Sequence, residues 1–197
     1  MTEITFITSS GIPSTLHGPG FQLRPLQTTD VELDYDAVMS SRAMLRRWSQ
    51  SDWPADDFPL EGNLADLERH QREHDAGIAF TYTVTTPGND RCLGCVYINP
   101  LAPELIETGI CSQPEAGKTT AVSVRFWVRT SLLGTDLERD LLLELREWFS
   151  REWPVDCVVF LTSDSENRQQ AFWESNGLYQ RHSFDAAGNT WIAYQAT

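Results

Sequence analysis

Hydrophobic and polar positions alternate along residues 122–129, and the pattern then changes to a helical one. The stretch Val122-Ser-Val-Arg-Phe-Trp-Val-Arg129 has the alternating character of a strand. After a short loop, apolar side chains recur at helical spacing and share one face: Leu137, Leu141, Leu145, Trp148 and Phe149. The sequence therefore predicts a strand, a loop, and a helix over about residues 136–150.

Periodicity and turn residues predict the remaining elements. Further strands are expected at residues 4–7, 21–26, 80–85, 91–98, 155–161, 178–184 and 190–194. Thr29 or Asp30 is expected to cap a helix that reaches about Trp48, and two more helices are expected at about 60–75 and 166–177. Residues 11–20 read as a turn-rich loop, and Pro87-Gly-Asn-Asp90 as the turn of a hairpin.

One helix separates the strands at 122–129 and 155–161, which is the arrangement of a right-handed βαβ crossover. We therefore expect these two strands to be parallel neighbours. A length of 197 residues suits one domain. The whole chain, 1–197, is predicted to be a single α/β (α+β) domain, in which 1–20 form a leading strand and loop.

The loop between Arg129 and the following helix is the first candidate site. The leading N–H groups of a helix have no partner within the helix, so a strand, a loop and a helix start together make an anion site. Here Thr135 followed by Glu138 has the spacing of a capping box, in which side chains bond those N–H groups. We expect the protein itself to occupy the donors of this loop.

Two stretches resemble the GCN5-related N-acetyltransferase (GNAT) superfamily. Trp127-Val-Arg129 and Leu141-Leu142 resemble the strand end and the helix that flank its acetyl-CoA loop. Residues 166–178 resemble its last helix, and Gly177 stands where that helix would end in a left-handed conformation. The resemblance covers roughly residue 21 to the C-terminus. It implies the GNAT-like acyl-CoA N-acyltransferase fold, a central mixed sheet flanked by about four helices.

The characteristic residues of that family are replaced in this chain. The family loop, Gln/Arg-x-x-Gly-x-Gly/Ala, holds the pyrophosphate of CoA on backbone N–H groups; here Leu133, Asp136 and Glu138 stand at its three defined positions. The frequent general-acid tyrosine is replaced by Trp173, whose indole N–H is not acidic at neutral pH. The two carboxylates would repel phosphate, so CoA is expected to bind weakly or not at all.

The resemblance also implies an activity and a set of cofactor contacts. The activity is transfer of an acetyl or other acyl group from acyl-CoA to a small-molecule or protein amine. Backbone groups of Phe126, Trp127 and Val128 would pair with the pantetheine arm. The other cofactor-binding candidates flank the expected pyrophosphate position: Arg129, Gly134, Thr135, Arg139 and Asn167.

Candidates for proton transfer follow from position alone. The strand that usually carries the glutamate base offers serine and arginine instead, so Glu107 in the preceding loop is the candidate base, followed by Glu104. Ser175 and Tyr179 are the candidate proton donors near the last helix. The alternative function is a catalytically inactive GNAT-fold module, for ligand binding or interaction, that has lost its pyrophosphate loop.

Charge and composition restrict the partners. A net charge of −13 and a pI near 4.6 disfavour nucleic acid and anionic membranes. No apolar run reaches the ~18 residues that a membrane span needs, and the first residues lack a signal-peptide pattern. We expect a cytoplasmic protein whose partner is an amine acceptor, with a homodimer as a further option.

Two spacings suggest metal chemistry, but both have simpler interpretations. Cys92-Leu-Gly-Cys95 has zinc or redox spacing, yet residues three apart on a strand face opposite sides, and Cys111 and Cys157 stand alone. Four ordinary thiols in a reducing compartment and no metal site are therefore expected. His70-Gln-Arg-Glu-His74 matches the motif of inverted zinc proteases, but a solvated helix face is preferred over a zinc hydrolase.

The seven tryptophans are interpreted mainly as core residues. Trp48 and Trp53 flank the first connection between helices. Because this region lines the acceptor pocket in acetyltransferases, an aromatic acceptor site is the alternative.

Overall fold

The computed structural model describes residues 11–102, 105, 108–111 and 120–196. Within this part of the chain, eight strands form one mixed sheet. The strands are β1 (Leu16–Gly18), β2 (Phe21–Pro25), β3 (Phe80–Thr85), β4 (Cys92–Pro100), β5 (Ala121–Val128), β6 (Cys157–Ser163), β7 (Leu178–Ala186) and β8 (Asn189–Ala196). The helices are α1 (Val31–Ser40), α2 (Arg42–Ser49), α3 (Leu60–Asp75), α4 (Asp136–Glu152) and α5 (Asn167–Ser175).

The strands lie in the order β1-β2-β3-β4-β5-β6-β8-β7. Only β5 and β6 pair in parallel, from Ala121 opposite Cys157 to Val124 opposite Phe160; the other neighbours are antiparallel. Helix α4 connects the two parallel strands, which confirms the predicted βαβ unit. The predicted hairpins and the helix at 60–75 are also confirmed.

The alternation along β5 divides the core between the two faces of the sheet. Its even-numbered residues from 122 to 128 join the cluster that contains the apolar side of α4. At the centre of that cluster, Trp148 of α4 makes edge contacts with Tyr82 and Trp153, at ring-centroid distances of 5.1 and 5.3 Å. On the opposite face, Trp127 packs with residues of α1, α2 and α3. The sheet is therefore covered by α1 to α3 on one side and by α4 and α5 on the other.

The N-terminal third differs from the prediction in three respects. The strand expected at 4–7 lies outside the described residues, and β1 lies within the expected loop. The single helix expected to reach Trp48 is broken at Ser41, whose hydroxyl accepts a hydrogen bond from the Thr130 N–H (3.1 Å). Asp30 does precede α1, but its side chain makes no cap bond to that helix. Its carboxylate instead receives the Arg24 guanidinium at 2.6 and 2.7 Å.

A bulge in β4 makes one sequence prediction wrong. The register pairs Val84 with Gly94 and Thr85 with Cys92, so Leu93 is the extra residue. Because a bulge shifts the alternation of side chains, Cys92 and Cys95 face the same side of the sheet. Both belong to the core that faces α1 to α3, whereas Leu93 belongs to the core that faces α4.

The expectation of four free thiols is also wrong. Cys111 and Cys157 form a disulfide with Cα atoms 5.8 Å apart, while Cys92 and Cys95 are free and buried. The disulfide ties the first residue of β6 to a segment 46 residues earlier in the sequence. Spacing alone gave no sign of this pairing, because the two cysteines come together only when the sheet has formed.

We expect Gly94→Ala to destabilise the fold by about 3 kcal/mol or more, at or above the upper end of typical overpacking costs. A Cβ at this position would lie 2.0 Å from the Trp127 carbonyl oxygen and 2.9 Å from Val128 Cα, both of which are backbone atoms of β5 that cannot rotate away. Urea unfolding measures the change. The matched control is Gly88→Ala, where the nearest atom is 3.6 Å away in a surface turn and a change within about 0.5 kcal/mol is expected. Equal effects at the two sites would contradict this account.

Candidate cofactor cleft and neighbouring cavity

The cleft begins where β5 and β6 diverge. Their pairing ends at Val124 and Phe160. Beyond this point β5 continues only along β4, as far as Val128 opposite Gly94, and β6 continues along β8. The backbone of Phe126 therefore faces an opening between two strands that are neighbours lower in the sheet. This opening is where the sequence resemblance expects the pantetheine arm of acyl-CoA.

Side chains of the protein fill this opening. The carbonyl of Phe126 accepts hydrogen bonds from Trp48 Nε1 (3.0 Å) and from Gln169 Nε2 (3.3 Å). Beside them, Gln50 reaches across from the end of α2 to donate to the Thr190 carbonyl of β8 (3.0 Å). A pantetheine amide that approached Phe126 would meet a carbonyl that already has two donors.

The loop after β5 carries the second group of contacts. Gly134 adopts a left-handed conformation, with φ of 75°, and α4 begins two residues later. Its N–H donates to Glu138 Oε2 at 2.6 Å, whereas the Thr135 hydroxyl donates to the Leu132 carbonyl at 2.7 Å. The predicted capping box is therefore wrong in its pairing, because Thr135 makes no side-chain cap bond and Glu138 reaches one residue further back. Its predicted consequence, a loop donor bonded by the protein's own carboxylate, is confirmed.

Glu138 is the central group of this loop. Its side chain is 2% exposed, and both carboxylate oxygens receive the guanidinium of Arg168 from the start of α5, one of them at 3.1 Å. Asp136, which was expected to repel phosphate in the same way, is 84% exposed and pairs with Arg139 at 2.8 Å. Only one of the two predicted carboxylates therefore occupies the anion position.

The two arginines predicted to contact the cofactor are bonded to other residues of the protein. Arg129 is buried and pairs with Asp36 at 2.7 Å, and it also donates to Ser40 Oγ and to the Cys92 carbonyl. Arg139 is half exposed and is bonded to Asp136 and Asp140. Neither guanidinium is free to bind a cofactor in this conformation. The role of Arg129 and Arg139 in cofactor binding stays a prediction.

A small cavity of about 140 Å³ remains in the cleft. Trp127, Val128 and Asn167, all predicted to contact the cofactor, line it together with Glu138 and Arg168. The structure thus brings several predicted residues together. The cavity is below the ~300 to 1,000 Å³ that is usual for small-molecule sites.

Of the predicted catalytic residues, the structure describes Ser175 and Tyr179, and neither lines the small cavity. Glu107 and Glu104 lie outside the described residues. Ser175 stands at the last residue of α5, about 12 Å along the helix from Asn167, and donates to the Phe172 carbonyl. Tyr179 is 50% exposed on β7. The roles of these residues stay untested.

Trp173 takes the position of the family's tyrosine as a core residue. It is fully buried and packs against Phe126, Phe160 and Tyr194, with ring centroids 5.5 to 6.0 Å apart. Its indole N–H has no hydrogen-bond partner among the described residues. The side chain therefore fills space at this position.

A larger cavity, about 560 Å³, lies on the other side of Trp48, between the sheet and helices α1 and α3. Aromatic side chains of Trp48, Trp53 and Tyr97 form part of its wall, together with His70 and Arg125. Trp48 lines both cavities. The Arg125 guanidinium stacks on two indoles, 4.0 Å from the centroid of the Trp48 ring and 4.3 Å from that of the Trp191 ring. The contact with Arg125 helps to fix the position of the Trp48 indole.

Burial shifts the ionisation of the groups around this larger cavity. It raises the pKa of Asp34 to about 6, lowers that of His70 to about 4 and lowers that of Arg125 to about 10. His70 accepts from the Arg69 guanidinium at Nε2 (3.1 Å), so its Nδ1 carries the proton and donates to the Thr81 hydroxyl (3.2 Å). His74 is buried and donates to the Thr81 carbonyl (3.2 Å). The two histidines of the zinc-protease-like motif are therefore bonded within the protein.

Sequence reasoning missed the residues that close the cleft. The sequence indicates Trp48 only as an aromatic residue near the acceptor region, and it gives no indication of a role for Gln169 or of the pairing of Glu138 with Arg168. One signal was present: the small residue of the family loop is replaced by Glu138, and an arginine stands at the start of the last helix. An acidic and a basic side chain at two positions that face the same ligand could have suggested that they bond to each other.

Solved structures of acetyltransferases resemble this chain over most of its length. The acetyl transferase of Salmonella typhimurium that modifies the N-terminal serine of 50S ribosomal subunit protein L7/L12 superposes with a TM-score of 0.68 at 14% identity, over 92% of this chain and 97% of that one. Mycobacterium smegmatis RimJ in complex with CoA-disulfide gives 0.71 at 13% identity, over 93% and 87%. The microcin C7 self immunity acetyltransferase MccE in complex with acetyl-CoA and AMP gives 0.68 at 10%, over 89% and 91%.

No protein-family model matches the sequence, and a comparison with curated proteins gave no match. The fold assignment therefore rests on structure: the sheet order, the one parallel pair among the described strands, the divergence after Val124 and the superpositions agree. The chain has the fold of the GNAT acetyltransferases.

Proposed function

We propose that this protein binds a small amine in the 560 Å³ cavity and does not hold CoA in the manner of the GNAT enzymes. The observation that carries the proposal is the position of the Glu138 carboxylate. It occupies two groups that could bind an anion, the Gly134 N–H of the loop and the Arg168 guanidinium of α5. A pyrophosphate would have to displace a buried carboxylate of its own charge sign.

The pantetheine part of the cleft supports the same conclusion. Trp48 and Gln169 satisfy the Phe126 carbonyl, and only about 140 Å³ stays open between them and Glu138. The contacts come from three helices, α2, α4 and α5. The free-energy cost of opening the cleft is therefore divided among them, and removing one contact removes only its share of that cost.

The larger cavity has the chemistry of a site for a cation. Its wall combines Trp48, Trp53 and Tyr97 with the carboxylates of Asp66 and Glu73, which share Arg69 as their ion-pair partner at 3.6 and 3.3 Å. Aromatic faces attract ammonium groups, and more strongly where water is excluded. The overall charge of −13 adds long-range attraction for a cation.

A second candidate function is acyl transfer from acyl-CoA to an amine in the same cavity. The divergence of β5 and β6 favours it, because this opening is the feature that the GNAT fold uses for its cofactor, and neighbours of this fold are seen with CoA or acetyl-CoA bound. It requires Trp48 and Glu138 to leave their present partners. Release of free CoA thiol from acetyl-CoA in the presence of an amine distinguishes this function from binding alone.

Other expectations keep the status of proposals. No helix among the described residues is both long and apolar enough to cross a membrane. We retain the cytoplasm as the proposed location, although the disulfide between Cys111 and Cys157 is of a kind rare in that compartment. Thiol counting in freshly lysed cells tests this point. The single-domain organisation and the homodimer are tested by limited proteolysis and by light scattering.

Calorimetry of the unmodified protein with a panel of small amines, and separately with acetyl-CoA, tests the proposed function. We expect an amine to bind and acetyl-CoA to give no heat of binding. Asp66→Asn should weaken the amine up to about fivefold, the effect of one partly exposed charge pair. Glu68→Gln is the matched control on the same helix, since Glu68 does not line the cavity. Tight binding of acetyl-CoA, or equal effects of the two variants, would refute the proposal.

Glu138→Ala should create measurable affinity for acetyl-CoA, because it frees the Gly134 N–H and the Arg168 guanidinium for a phosphate. The variant should lose about 1.5 to 3 kcal/mol of stability through its lost charged hydrogen bonds. Asp136→Ala, which removes an exposed carboxylate from the same turn, is the control and should leave CoA binding absent. Isothermal titration measures both variants. If neither or both gain affinity, Glu138 is not the group that excludes the cofactor.

His70 should make folding stability depend on pH. Burial, with the nearby charge of Arg69, lowers its pKa from 6.5 to about 4, so the unfolded chain binds a proton in this range that the folded protein does not. The contribution of His70 is present above pH 6.5 and is lost as the pH falls towards 4, by at most about 3 kcal/mol. Urea unfolding across this range should show a smaller loss for His70→Gln than for the unmodified protein. Parallel curves for the two proteins would contradict the assignment.

A further inference from the structure

Three buried side chains with metal-binding atoms meet under α1. Asp34, Cys92 and Cys95 are 4%, 0% and 1% exposed. The Asp34 Oδ1 atom lies 3.4 Å from Cys95 Sγ and 4.0 Å from Cys92 Sγ, and the three candidate ligand atoms all lie within 4.8 Å of one another. The bulge at Leu93 creates this arrangement, because a regular strand would send one of the sulfurs to the other face.

We propose that Asp34, Cys92 and Cys95 bind a zinc ion. With Zn–S bonds of about 2.3 Å and Zn–O bonds of about 2.0 Å, neighbouring ligands of a tetrahedral ion lie about 3.5 to 3.8 Å apart, close to the sulfur to oxygen distances seen here. Two thiolates favour a soft divalent ion, and a carboxylate is also a common zinc ligand. Asp34 lines the 560 Å³ cavity, so a water molecule or a bound ligand would complete the coordination from there.

The environment of Asp34 supports a cation at this point. Its polar partners in the described part of the chain are the Asn63 amide and the two thiols, none of which carries a positive charge. A carboxylate this deeply buried needs a cation, a metal or a proton. Zinc would replace the two thiol protons, which would leave for solvent, so binding is expected to weaken as the pH falls.

The hydrogen bonds around the site are compatible with a metal once the thiols lose their protons. The Cys92 thiol donates to the Gly94 carbonyl (3.5 Å), a bond that ends when the sulfur is deprotonated. Asn63 Nδ2 donates to Asp34 Oδ2 at 3.0 Å, which orients the carboxylate and leaves Oδ1 directed at the sulfurs. Such supporting bonds are typical of metal sites. His70 and His74, the zinc candidates suggested by sequence, have their bonded nitrogens directed at Thr81 and Arg69 instead. The inference rests on Asp34, Cys92 and Cys95, none of which carries the argument for amine binding.

Cobalt titration of the metal-free protein, followed by zinc competition, tests the site. We expect one Co²⁺ per chain with a thiolate charge-transfer band in the near ultraviolet, displaced by zinc. Cys92→Ser combined with Cys95→Ser should abolish the band, and Asn63→Ala should weaken the affinity by about 10 to 100-fold. His70→Gln is the control and should bind cobalt as the unmodified protein does.

Absence of the band in the unmodified protein, its survival in the double serine variant, or its loss in His70→Gln would each overturn the proposal. If the double variant does not fold, the spectrum of the unmodified protein decides the question. The sulfurs of Cys111 and Cys157 are bonded to each other, so with this disulfide intact a thiolate band can come only from Cys92 and Cys95.

Discussion

A buried backbone carbonyl needs a hydrogen-bond donor, and at Phe126 this requirement shapes the whole cleft. Once β5 and β6 part after Val124, no strand is left to supply that donor. In a protein that uses the opening for a cofactor, the ligand can supply it. Here the Trp48 indole and the Gln169 amide do so, which fixes the end of α2 and the start of α5 against the sheet. Closure of the cleft is therefore also a structural bond between helices and sheet.

The same reasoning applies to the donors at the start of α4. A left-handed Gly134 exposes an N–H that needs an acceptor, and the Glu138 carboxylate provides it while it is neutralised by Arg168. The Glu138 carboxylate thus occupies the position at which the sequence resemblance expects a phosphate. Because Arg168 belongs to α5, the pair also ties α4 to α5. The polar groups at this end of the cleft therefore bond to one another.

Features of the fold and the cleft that depend on neighbouring residues could be predicted from the sequence. Features that depend on residues far apart in the chain could not. The period of two in β5 and the apolar face of α4 are local, and both were predicted within one or two residues. The bulge at Leu93 is set by pairing with β3, and the disulfide joins residues 46 apart. The bond from Trp48 to Phe126 likewise spans 78 positions. Such contacts exist only after the sheet has assembled, so neither periodicity nor motif spacing could reveal them.

The energetic cost of opening the cleft sets a condition on the second candidate function, acyl transfer. Opening breaks two neutral hydrogen bonds at Phe126 and the charged bonds of Glu138, and partial replacement by water leaves a net cost of about 4 kcal/mol. An equilibrium with that cost keeps the open form near one molecule in about a thousand, and apparent affinity falls by the same factor. A cofactor that would bind an open cleft at about 1 μM would then bind this protein at about 1 mM. Transfer activity is consistent with this structure only if a ligand in the larger cavity, through its contact with Trp48, also stabilises the open form.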